Sequence, residues 1–140
     1  MNIFEAIEAH HDVLRNLFEG AISDASKFEE LYNNLRVHHE NEENILLVVL
    51  ADHKELRDEA LESIEEHRII ERMLLDLKGF PRENERWRIK LEILQEFTEH
   101  HLEEEEEDLF KTGRKLLPGK QMEEMGKRFE TSRKQQLAVL

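Results

Sequence analysis

The amino-acid pattern predicts an all-α protein, an up-down-up-down four-helix bundle with a short additional C-terminal helix, and three observations carry that reading. Charged residues make up 38% and apolar residues 39% of the chain, the balance of long solvated helices. Two prolines and five glycines leave few turn signals for a sheet protein. Apolar residues recur at helical spacing along almost the whole sequence. With 140 residues the chain fits one domain, 1–140, long enough to bury a core.

Each element follows from its stripe and its punctuation. Ile3, Ile7, Leu14 and Phe18 keep the helical period, and Gly20 with Ser23 and Asp24 gives a stop and a fresh N-cap signal, so a first helix is expected over roughly residues 2 to 20. The second stripe, Phe28, Leu31, Leu35, Leu46 and Leu50, runs to about Asp52. No glycine or proline marks a break near Ala51, Asp52 and His53, so that break is inferred from length. Helix three carries Leu56, Ala60, Ile64, Ile70, Leu74 and Leu77 and ends at Gly79, Phe80 and Pro81. Helix four carries Trp87, Leu91, Leu94, Phe97 and Leu109 before Gly113. Leu117, Pro118 and Gly119 separate it from a last amphipathic helix, roughly 121 to 136. Short connections between long neighbours predict the up-and-down topology.

Charge and composition exclude several functions. A formal charge of −13 opposes electrostatic binding to nucleic acid or to an anionic membrane, and it suits a cation. With no cysteine, thiolate metal sites, iron–sulfur clusters and a cysteine nucleophile are excluded. The opening MNIFEAIEAHH lacks a basic n-region and a signal-like apolar core, and the longest charge-free run, Asn44 to Ala51, is too short to span a bilayer. A cytoplasmic protein is expected. No Gly-rich loop or separate nucleophile points to a transferase or hydrolase, so no catalytic residue and no dedicated enzyme is expected.

Three times a histidine is followed four residues later by a glutamate on a helical segment: His39 with Glu43, His67 with Glu71, His101 with Glu105. Residues four apart lie one above the other on a helix, so each pair can aim an imidazole nitrogen and a carboxylate oxygen at one point. His67 sits in the middle of its stripe, between Ile64 and Ile70. His101 follows Phe97 by four and shares its face with Glu105, while His100 is turned away by about 100°. For the doublets His10-His11 and His38-His39 the period does not decide. Buried carboxylates and imidazoles without a cation leave uncompensated charge. A nitrogen and oxygen ligand set suits iron, manganese or zinc, and its size implies two ions.

The order of these residues resembles the hemerythrin family and its bacterial HHE cation-binding branch, in which one His comes from helix one, His-x-x-x-Glu from helix two, His from helix three and His-x-x-x-Glu or Asp from helix four. "AHHDVLRNLF" looks like the first motif with His11, "HHENEENILL" like the second with His39 and Glu43, "IEEHRIIERMLLDL" like the third with His67, and "FTEHHLEEEEEDLF" like the fourth with His101 and Glu105. Glu40 is similar to an extra carboxylate ligand in the hemerythrin-like domain of an iron-responsive F-box protein. The tail "GRKLLPGKQMEEMGKRFE" is similar to the helix that often closes such domains. Two departures stand out. Val48-Val49 replaces a common proline, and where hemerythrin proper has a second helix-three histidine this chain offers Ser63 or Glu71. The resemblance implies a non-heme di-iron centre, oxo- or hydroxo-bridged, with zinc or manganese as substitutes and Glu43 and Glu105 as bridges. It implies a small ligand, dioxygen, nitric oxide or peroxide, bound for carriage, sensing or a response to iron or oxidative stress. A di-iron oxidase or peroxidase and a metal-free helical interaction module are the alternatives.

Overall fold

The structure, a computed structural model, describes residues 1–140 and contains helices and turns but no strand. Helix α1 spans Ile3–Ser23, α2 Phe28–Asn41, α3 Val48–Ala51, α4 Arg57–Gly79, α5 Glu85–Glu104, α6 Phe110–Leu116 and α7 Gly119–Ala138. A π-turn over Glu42–Leu47 joins α2 to α3, and a second over Glu105–Leu109 joins α5 to α6, so five long helical stretches make up the bundle. None is long and apolar enough to cross a membrane.

The ends of these helices follow from local chemistry. Asn2 and Glu5 form a reciprocal capping box at the start of α1, with N···O distances of 3.0 and 2.9 Å. Asn84 caps α5 by accepting from the Arg86 backbone N–H at 2.9 Å. Helices α4 and α6 end where Phe80 and Leu117 turn extended, at φ/ψ of −95/140° and −94/138°. Each of those residues precedes a proline, whose ring disfavours the helical conformation there. The Trp87 indole N–H donates to the Leu77 carbonyl at 3.1 Å and pins that corner.

The fourth stretch runs through Gly113 to Leu116 and ends at the expected Leu117, Pro118 and Gly119 turn; a Cβ at Gly113 would meet the Phe4 ring at 2.8 Å. One element differs from the sequence expectation: the C-terminal helix is not short. Helix α7 has 20 residues and packs along α1 and α2, burying Met125 and Phe129.

The core is divided in two. One apolar cluster gathers Ile7, Leu46, Leu50, Ala60, Phe110 and Phe129, and the other gathers Leu14, Leu35, Ile70, Leu74, Leu91 and Leu94. The chain crosses from one cluster to the other at residues 8–13, 36–44, 61–69 and 95–108. Those gaps hold seven of the eight histidines, all but His53. Gly126 lies against the chain start, where a Cβ would stand 2.3 Å from the Met1 carbonyl oxygen and 2.8 Å from the Asn2 carbonyl carbon. Gly126→Ala should therefore cost about 1–3 kcal/mol of stability by overpacking, measured by chemical unfolding. An unchanged midpoint would show that α7 yields freely.

Candidate metal centre

Between the two apolar clusters lies a layer of ionisable side chains drawn from four helical stretches. Helix α1 supplies His10 and His11, α2 supplies His38 and His39, the first π-turn Glu42, α4 His67, α5 His101 and the second π-turn Glu105. All eight are at most 3% exposed. Ten of the twelve buried side-chain polar atoms without a hydrogen-bond partner belong to these residues, a density far above the few expected per domain.

The orientation of the rings is the informative part. The Nδ1 of His11 lies 2.7 Å from Glu106 Oε2, that of His67 2.7 Å from Glu43 Oε2, and that of His101 2.5 Å from Glu66 Oε1. An ionised carboxylate only accepts, so each Nδ1 carries the proton and, in a neutral ring, leaves the Nε2 lone pair pointing inward. Inward, those nitrogens meet carboxylate oxygens. His67 Nε2 is 3.1 Å from Glu42 Oε1, His101 Nε2 is 3.4 Å from Glu105 Oε2, and His11 Nε2 is 3.5 Å from Glu105 Oε1. Lone pair faces lone pair, an arrangement that needs a proton or a cation between them.

Donor atoms gather around two points. Atoms of His39, His67 and His101, and of Glu42, His67, His101 and Glu105, lie within 4.8 Å of one another, as do those of His11, His38 and Glu42. Opposite ligands of one ion at ~2.1 Å stand ~4.2 Å apart, so spacings of this size suit ligation. Glu42 belongs to both neighbourhoods, and Glu105 stands near His101 in one and His11 in the other. The rings of His39 and His67 stack at 3.8 Å. Both nitrogens of His39 lack a partner.

Protonation in the metal-free chain shows the same conflict. Burial, followed by neighbouring imidazoles, lowers His38 and His39 well below the ordinary histidine value, and burial lowers His67. Burial, with the Arg133 charge behind it, lowers His10 to about 3. Burial and the Glu105 charge raise Glu42 well above the usual carboxylate range. Against burial, Glu105 and Glu66 raise His101, and His101 lowers Glu105, so these two form an ion pair. Without a cation, the layer holds one carboxyl neutral and uses imidazolium to balance the other.

The structure brings His11, His39, His67, His101 and Glu105 together. Glu43 does not join them. Its carboxylate lies behind His67 and is held outward by Arg68 at 2.7 Å, while Glu42 occupies the interior. Glu40 is exposed, and Glu71 is a surface acid 3.3 Å from Arg68, so neither reaches the layer. Ser63, at the helix-three position without a histidine, donates its hydroxyl to Glu105 Oε2 at 2.6 Å. A surface cleft of about 600 Å³ ends at Ser63 and Glu105. Sequence reasoning missed His38, Glu42, Glu106 and Glu66. His38 and Glu42 had a signal, the same four-residue spacing as His39 and Glu43; Glu66 and Glu106 had none.

Residues 2–112 match the family model described as Hemerythrin HHE cation binding domain. No curated protein and no solved structure matched the chain.

Stability of the metal-free protein should report the buried charges. A histidine lowered by folding supports stability above about pH 6.5, and this is lost as pH falls toward its folded value. Glu42, raised by folding, acts oppositely. Its stabilisation is present below about pH 4.5 and is lost as pH rises toward its folded value. Glu42→Gln should therefore unfold at higher denaturant than the wild type at pH 7 to 8 in EDTA, with the gap closing toward pH 4.5. A constant gap across that range would contradict a neutral, buried Glu42.

Proposed function

The chain belongs to the hemerythrin HHE cation-binding domain family, and on that premise we propose that it is a non-heme di-iron protein that binds dioxygen or a related small ligand for carriage, sensing or a response to iron or oxidative stress. The observation that carries the reading is the inward row of unpartnered Nε2 atoms facing Glu42 and Glu105. His39, His67 and His101 would hold one ion, His11 and His38 the other, and Glu42 and Glu105 would be shared between them. The set contains five imidazoles because His38 and His39, adjacent on α2, turn to different neighbourhoods. That supplies the histidine which helix α4 lacks at Ser63.

An iron pair, when bound, supplies a redox-active centre for dioxygen, nitric oxide or peroxide. The chain's own residues do the rest. Glu106, Glu43 and Glu66 fix the tautomers of His11, His67 and His101 and make them better donors to a cation. Arg15 holds Glu106 at 3.1 Å and Arg68 holds Glu43 at 2.7 Å, so two of these outer carboxylates are themselves anchored. The Ser63 hydroxyl orients Glu105 where the cleft meets the layer, giving a small ligand an approach between α4 and the second π-turn. The apolar clusters on either side keep the other faces dry.

Iron analysis should give two ions per chain, and aerobic absorption should show charge-transfer bands that disappear with dithionite. Iron without any ligand-dependent band would end the small-ligand reading. His101→Ala should lose iron while His100→Ala, whose ring is 69% exposed, keeps it. Glu105→Gln should fall toward one ion or none, and Glu43→Gln should weaken binding by about 10–100-fold without abolishing it. Metal at a hundred times its Kd should raise unfolding stability by about 2.7 kcal/mol.

A further inference from the structure

His10 belongs to none of the candidate ligand groups, yet it is 2% exposed and its Nδ1 lies 2.8 Å from His38 Nδ1. The two rings overlap at 4.9 Å with 21° between their planes, and both abut the edge of Phe129 from α7. Two Nδ1 atoms at that distance share a single proton, which sits on one ring or the other. If it sits on His38, the His38 Nε2 keeps its lone pair toward Glu42 and can ligate. If it sits on His10, a neutral His38 must carry its own proton on Nε2, and that nitrogen is closed to a cation.

We infer that His10 is a positioning residue that sets the tautomer of His38 and thereby the affinity of the second cation. The inference rests on the two-ion reading above and deepens it. His11, His67 and His101 are each backed by a carboxylate, which only accepts, so their tautomers are fixed. His38 alone is backed by a neutral donor-acceptor. Its open Nε2 is therefore conditional on His10 accepting. The two cation positions become unequal: in the one formed by His39, His67 and His101, carboxylates fix the tautomers of His67 and His101 and no other titratable ring competes for a proton on His39, whereas the one formed by His11 and His38 is completed as the His10–His38 proton settles on His38. The cation itself favours that arrangement, because ligation at Nε2 makes the His38 Nδ1–H a stronger donor.

The test uses the full chain stripped with EDTA and titrated with Co²⁺ under anaerobic conditions, with His10→Leu and His10→Asn compared. Leu and Asn have similar shapes, but only Asn places an acceptor oxygen near the position of the His10 Nδ1. The wild type should bind two ions with separated affinities. His10→Leu should keep the tighter ion and weaken the other by about 10–100-fold, and His10→Asn should recover most of the loss. Equal losses in both variants, or none in His10→Leu, would overturn the inference while leaving two ions in the wild type. A wild type that binds fewer than two ions would overturn the di-iron reading, and this inference with it. Nitrogen-15 imidazole spectra of the Zn²⁺-loaded wild type decide the matter without substitution. A protected proton on His38 Nδ1 and a bare His10 Nδ1 are expected, and the reverse assignment would refute the role given to His10.

Discussion

Nitrogen lone pairs aimed at carboxylate oxygens, in a layer held between two apolar clusters, set the terms for the rest of this molecule. Each buried polar atom without a partner costs about 1–3 kcal/mol, and ten of them lie here. Hydrophobic burial must carry the fold past that cost, and the two clusters are arranged to do so on either side, with Phe4, Phe110 and Phe129 in one and Phe28 and Trp87 in the other. The layer is therefore weak in isolation and held in shape by its neighbours. That is the condition of a preorganised site, in which the donors are in place before the cation arrives and folding has already met the cost of assembling them.

Both carboxylates that enter the layer sit on π-turns. Glu42 opens the turn Glu42–Leu47 and Glu105 opens Glu105–Leu109. A π-turn widens the helix by one residue and shifts the phase of everything after it, and such turns recur at functional sites. Here the shift reconciles two demands. Upstream, Leu35 and Leu94 must face one apolar cluster; downstream, Leu46, Leu47 and Phe110 must face the other, with the ligand-bearing turn between them. The extra residue lets one continuous helix serve both clusters and still present Glu42 or Glu105 to the interior.

The all-helical class, the corners at Pro81 and Pro118 and the inward histidines of the third and fourth stretches were legible because they depend on local period and turn chemistry. His67 lies on an unbroken stripe, and His101 differs from His100 by a rotation that any regular helix imposes. The His38-His39 doublet was not resolvable. Both members reach the interior, so helical period cannot separate them, and Glu42 and Glu43 stand in identical spacing to them. What separates the two glutamates is tertiary: Arg68 and the Nδ1 of His67 hold Glu43 outside, and no pattern within α2 records that contact. Gly113 is tertiary in the same way: the reason for a glycine there lies in the Phe4 ring packed against it, not in its own helix.

The surroundings of the layer explain why so acidic a chain suits the role. Glu42 and Glu105 lie inside, and Glu43, Glu66 and Glu106 stand directly behind the imidazoles, while only Arg15 and Arg68 answer them with fixed positive charge. Five carboxylates against two guanidiniums leave a deficit of three positive charges, which a bound cation would reduce. Without a cation, the chain lowers that deficit by protonating Glu42 and His101, so a cation competes with a proton that burial places on Glu42 and with one that the Glu105 and Glu66 carboxylates hold on His101 against burial. Affinity and acidity are therefore linked through the same atoms. The acidic surface adds long-range attraction for cations, but the competition with protons is decided by the few groups in the layer, where solvent screening is weakest.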